Sequence, residues 1–160
     1  MRQWLSPALC YTLVVTGAVM ALAVALYMQH IKGLQPCTMC IIQRYAFVVM
    51  GLSALLALIT PCRAIRIVMV ALGTLGAIGG IAAAIRNLWV LSHPDILCGR
   101  DPVEMFLNGL PTAQWFPKAF VALGLCSDPI PPLLGLALPW WSLIGLLVLA
   151  SLLGLSLRRR

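Results

Sequence analysis

Long apolar runs dominate this chain, and its polar positions gather between them. Four runs approach the roughly 20 residues a helix needs to cross a bilayer. They cover about residues 9–28, 41–59, 67–85 and 138–157. The pattern predicts an all-α membrane protein: one domain, residues 1–160, built as a four-transmembrane-helix bundle. The connections are then two loops on one side, residues 29–40 and 86–137, and a short turn near Cys62 on the other. The first run is too long for a signal-peptide core and no clear cleavage site follows it, so it reads as a retained span. Gly73, Gly76, Gly79 and Gly80 leave little side chain on the third span, which predicts close helix packing there.

Composition agrees with the pattern. The chain is 62% hydrophobic and 9% charged, against about 25% charged residues in soluble domains. The net charge of +7 does not indicate nucleic acid, because the arginines sit at the ends of apolar runs. With four spans, Arg2, Arg63, Arg66, Arg158, Arg159 and Arg160 fall on one side. All four acids, Asp95, Asp101, Glu104 and Asp128, fall on the other. The positive-inside rule then places both termini in the cytoplasm. The two outer loops face outward, which in a bacterial inner membrane is the periplasm, where disulfides persist.

That topology sorts the six cysteines. Cys10 and Cys62 face inward and read as reduced, structural or incidental thiols. Cys37, Cys40, Cys98 and Cys126 face outward. A zinc site is disfavoured, because only one tight pair exists and the compartment is oxidising. Two structural disulfides are a second reading, with Cys98–Cys126 stapling the long loop. A Cys37–Cys40 bridge closes a ring too small to constrain much tertiary structure. Two exchanging redox pairs are the third reading, since Cys-x-x-Cys bridges are commonly redox-active.

The stretch LQPCTMCIIQRYAF, residues 34–47, favours the third reading for Cys40. Cys40 falls near a predicted helix N-terminus, whose dipole and open N–H groups favour a thiolate. Arg44 follows one turn later on the same face. It either reaches the headgroups with its guanidinium or holds an anion beside the thiol. An electron acceptor is still needed, and no haem motif or dinucleotide-binding glycine pattern is present. A quinone dissolved in the bilayer meets that need, and a guanidinium stabilises negative charge on its carbonyl oxygens. Arg86 ends the third span level with Arg44 and against the positive-inside trend. It has the same two readings, a carbonyl partner or the headgroups.

The outer loop of residues 86–137 carries seven prolines, which predicts an irregular, mobile connection without regular helices. Within it, TAQWFPKAFVALGL combines Trp115, Phe116 and Phe120 with a single Lys118. That composition suits a short interfacial segment or packing against the bundle. Trp140 and Trp141 open the fourth run and read as an interfacial belt. His30 and His93 read as polar tips at the headgroups.

These residues resemble the DsbB family of inner-membrane disulfide-bond formation proteins. PCTMCIIQRYAF resembles that family's PCxxC followed by an arginine. LCGRD and LPTAQWFPKAFVALGLCS resemble its two loop-cysteine regions, and PPLLGLALPWWSLIGLLVL its entry into the fourth span. The motifs occur in order over nearly the whole chain. The resemblance implies an enzyme that reoxidises a DsbA-like periplasmic thiol oxidase and passes the electrons to ubiquinone or menaquinone. By position, Cys98 is the cysteine that the partner attacks and Cys126 completes the loop disulfide. Cys37 and Cys40 then receive the electrons, Cys40 contacts the quinone, and Arg44 assists. Arg86 stands where members carry a basic residue near the quinone, and Gln43 stands where some members carry an acid. A structural tetraspan protein with stabilising outer disulfides is the alternative. A vitamin K epoxide reductase-like enzyme fits less well, because its Cys-x-x-Cys sits later in the chain.

Overall fold

The computed structural model describes residues 6–93, 102–124 and 135–158. Four long helices form the bundle: α1 (Pro7–Ile31), α2 (Thr38–Ile59), α3 (Arg63–Ser92) and α7 (Leu138–Arg158). Each is long and apolar enough to cross a membrane. Among the described residues, three short helices, α4 (Pro102–Asn108), α5 (Pro111–Trp115) and α6 (Pro117–Phe120), lie between α3 and α7 in the chain. The protein is therefore an all-α, four-span membrane bundle.

Its surface is inverted relative to a soluble protein. Met20, Leu75 and Ile78 are each more than half exposed, as lipid-facing residues are. The interior is a seam of Val14 and Ala18 from α1, Phe47, Met50 and Ala54 from α2, Val70 and Ala77 from α3, and Leu146 and Leu153 from α7. Small residues bring α2 and α3 together. A β-carbon added at Gly80 would stand 2.5 Å from that of Ala46 and 3.1 Å from a Leu146 methyl. Gly73 and Gly76 are similarly crowded, by Ser53 and Val49. Gly79 has open space and takes no part in the contact expected of it.

Two features depart from the sequence reading. The third helix runs seven residues past the expected span end at residue 85, to Ser92. Its 30 residues make about 45 Å of helix, beyond the ~30 Å hydrocarbon core. It continues because Asn87 and Val90 remain buried on the face that holds Ala83 and Ala84. It stops at His93, where the following Pro94 disfavours helical backbone. The second departure is in the proline-rich loop, whose described part, 102–124, is largely helical. Each short helix opens on a proline, Pro102, Pro111 or Pro117. A first-turn proline loses no helical hydrogen bond and its fixed φ suits the helix, so the prolines start helices here instead of breaking them.

Candidate active site: a Cys-x-x-Cys pair between a strap and a cleft

The backbone at the head of α2 builds the site. Pro36 precedes Cys37, which caps the helix in extended conformation and accepts from the Cys40 backbone N–H at 3.3 Å. One turn of helix then sets the Cys37 and Cys40 sulfurs 2.8 Å apart. Cys37 is buried and Cys40 half-buried. The Asn87 amide, itself only 2% exposed, donates toward both sulfurs from α3, at 3.8 and 3.7 Å.

A strap of residues 121–124 crosses the Cys37 side. The backbone N–H groups of Leu123 and Gly124 both donate to the Pro36 carbonyl at 3.1 Å, and Gly124 bridges Cys37 in parallel. Only glycine fits so close: a β-carbon at Gly124 would fall 2.5 Å from the Gln35 carbonyl oxygen. Asn108 grips the strap from α4, accepting from the Ala122 N–H at 2.9 Å and donating to the Ala122 carbonyl at 3.2 Å. Phe120 stacks on Tyr45 with ring centroids 4.9 Å apart, and the Tyr45 hydroxyl bonds Thr112. The segment read as either interfacial or packed against the bundle thus divides. Trp115 and Phe116 project outward, whereas Phe120 and Ala122 dock onto α2 and α4.

The Cys40 side faces a cavity of about 420 Å³ between α1, α2 and α7. That volume lies in the range of small-molecule and cofactor sites. Met20 and Val24 line it and are exposed on the bundle surface, so it meets the lipid. Phe47 and Trp141 give it aromatic walls. Trp141 is therefore part of the cavity, whereas the sequence pattern reads it only as part of an interfacial belt; Trp140 is not among the lining residues.

Arg44 also lines the cavity, and its guanidinium is held inside the protein. It is 6% exposed and donates to Gln29 Oε1 at 2.7 Å, to the Ala119 carbonyl, and to the Ala25 carbonyl at 3.5 Å. One side chain thus ties α1, α2 and α6 together. Gln43 is 5% exposed and lines the same cavity, and its Nε2 has no hydrogen-bond partner among the described residues. A buried donor left unmet costs about 1–3 kcal/mol, so an acceptor brought within reach of this amide is favoured.

The structure brings Cys37, Cys40 and Arg44 together. Cys98 and Cys126 lie outside the described residues. Arg86 is exposed and does not line the cavity. Asn87 and Gln29 were not singled out in the sequence, although each is an isolated amide at the end of an apolar run. Cys10 is buried in the bundle. Cys62 is exposed at the head of α3, outside the spans. There the backbone N–H groups of Ile65 and Ala64, and secondarily the Arg66 charge, hold its thiol below the usual value for cysteine. A lowered value means thiolate forms at lower pH. Maleimide labelling of a variant that keeps only Cys62 is therefore expected to titrate with a midpoint below that of free cysteine. Arg66→Gln should move that midpoint up.

Fold and site together define a polytopic membrane protein with a paired-cysteine centre beside a lipid-side cavity. Comparison with known proteins narrows the class. A family model for disulfide bond formation protein DsbB matches residues 7–156, and the chain belongs to that family. Proteins named disulfide bond formation protein B are similar to it over most of their length. One from Cupriavidus pinatubonensis is 47% identical over 136 residues, covering 85% of this chain and 83% of the relative. One from Ralstonia nicotianae is 43% identical over 136 residues, covering 85% and 84%. Disulfide bond formation protein B 1 of Pseudomonas syringae pv. syringae is 40% identical over 128 residues, covering 80% and 76%.

Proposed function

We propose that this chain is a quinone-dependent protein-disulfide oxidoreductase of the bacterial inner membrane, which reoxidises a DsbA-like thioredoxin-fold partner. One observation carries the reading. Cys40 touches Cys37 and also lines the lipid-side cavity that Arg44 and Gln43 line. Both termini are cytoplasmic in this proposal, and the cysteine centre faces the periplasm.

The reaction is thiol–disulfide exchange. The partner's thiolate attacks Cys98, the Cys98–Cys126 bond breaks, and a mixed disulfide forms. The partner's second thiol releases it, which leaves the partner oxidised and Cys98 and Cys126 as a dithiol. That dithiol reduces the Cys37–Cys40 disulfide by two further exchanges. The strap, held by Asn108 and Gly124, brings the chain leading to Cys126 alongside Cys37. Asn87 donates toward both sulfurs and so supports negative charge on either one.

A quinone, ubiquinone or menaquinone, supplies the two-electron, two-proton sink for the Cys37–Cys40 dithiol. The unmet Gln43 amide fits a carbonyl acceptor, Phe47 and Trp141 suit a flat ring, and Arg44 supplies positive charge. Arg86 has no place in this cavity and is left out of the proposed site.

The test uses purified protein, a short-chain quinone and a reduced thioredoxin-fold partner. Quinone absorbance is expected to fall in step with partner oxidation, one quinone per partner disulfide. Cys40→Ser should reduce the rate to background. Partner and quinone both left unchanged by the wild-type protein would instead favour a structural tetraspan protein with stapled loops.

A further inference from the structure

A second cavity, of about 210 Å³, lies at the opposite end of the bundle, where α1 and α3 begin and α7 ends. Its walls include Tyr11, Arg63, Arg66 and Ser156. Tyr11 is 2% exposed, yet its hydroxyl has no hydrogen-bond partner among the described residues, and neither has the buried Nε of Arg66. The other end of that guanidinium is fixed, donating to the Thr60 carbonyl at 2.9 Å. Ser156 is 3% exposed and its hydroxyl donates to the Leu153 carbonyl at 2.6 Å, so its oxygen remains able only to accept. Two guanidinium groups therefore border one small space, and two unmet donors lie buried on residues that line it. No acid occurs in α1, α2, α3 or α7.

The geometry points to a phosphate-binding site, and we propose that its ligand is the headgroup phosphate of an anionic phospholipid in the leaflet that meets this end. Phosphate oxygens accept without donating, which matches the Tyr11 hydroxyl and Arg66 Nε. The net charge must be negative, because a zwitterionic headgroup brings a cation and the bundle helices offer it no carboxylate. Basic pockets between transmembrane helices are suited to lipid headgroups, and the apolar Ile67 and Leu157 of the same cavity lead toward the acyl region. This site is distinct from the paired-cysteine centre and does not depend on the activity proposed for it.

The discriminating variant is Tyr11→Phe, which removes the hydroxyl and keeps the ring. If nothing binds, deleting a buried unmet hydroxyl leaves the protein as stable or more so. If lipid phosphate binds, the same deletion loses affinity. Delipidated protein in neutral detergent is titrated with phosphatidylglycerol, phosphatidylcholine or inorganic phosphate. Thermal unfolding and native mass spectrometry supply the readouts. Phosphatidylglycerol is expected to raise the unfolding temperature of the wild type and to remain bound in the gas phase, and phosphatidylcholine to do neither. Tyr11→Phe, folded and at least as stable in detergent alone, should bind phosphatidylglycerol about tenfold more weakly, the loss of one hydrogen bond to a charged group. Arg66→Gln should lose the selectivity for the anionic lipid. Equal shifts from both lipids, or a full response in Tyr11→Phe, would overturn the proposal. A full response to inorganic phosphate alone would keep the phosphate chemistry and overturn the lipid as its source.

Discussion

Arg44→Met is expected to lower kcat/KM for quinone about 100-fold, equivalent to ~2.8 kcal/mol. Methionine keeps most of the volume and removes every donor. In the folded chain the guanidinium is buried and donates to Gln29 Oε1 and to the carbonyls of Ala119 and Ala25. Hydrogen bonds to charged groups contribute about 1.5–3 kcal/mol each. Their loss leaves acceptors unmet on α1 and α6 and loosens the strap, while the cavity loses its positive charge. Two effects follow: a lower unfolding temperature, and weaker stabilisation of negative charge beside Cys40. Steady-state kinetics at limiting quinone separate them. Arg44→Lys keeps the charge but not the planar fork, so it should recover part of the rate and little of the stability. Wild-type kinetics in Arg44→Met would leave the guanidinium as a tether between helices and remove it from the proposed quinone site.

Much of this arrangement was legible in the sequence. Four apolar runs gave four helices, because a bilayer admits few other ways to satisfy a spanning backbone. Cys37 and Cys40 were legible as a pair because Cys-x-x-Cys at a helix start needs only local geometry. Arg44 stood out as a cation inside an apolar run, but its partners did not. Gln29 is 15 residues away and Ala119 is 75, and no local pattern encodes such contacts. Asn87 was missed for the same reason. A lone amide at the end of a span is an ordinary interfacial residue until α3 is seen to continue past it and pack against the α2 cap. The prolines misled because proline density in a loop does not distinguish a helix breaker from a helix starter; the following residues decide. Trp141 was hidden by its neighbour, since two adjacent tryptophans look alike in sequence while only one turns into the cavity.

Cys98→Ala is expected to abolish partner oxidation, because in the proposed relay the partner attacks no other sulfur. The variant keeps Cys37, Cys40 and the cavity. Its chemically reduced form should therefore still hand two electrons to an added quinone. This outcome separates the two ends of the relay, which a loss of overall turnover cannot do. A structural role for the loop disulfide predicts a different pattern, a less stable protein with both activities changed together or with neither present. The most direct measurement is a paired one on reduced Cys98→Ala. One arm is single-turnover loss of quinone absorbance, and the other is the rate of oxidation of the reduced partner. One quinone is expected to be consumed per protein, with partner oxidation at the uncatalysed rate. Partner oxidation at the wild-type rate, or no quinone consumed by the reduced variant, would contradict it.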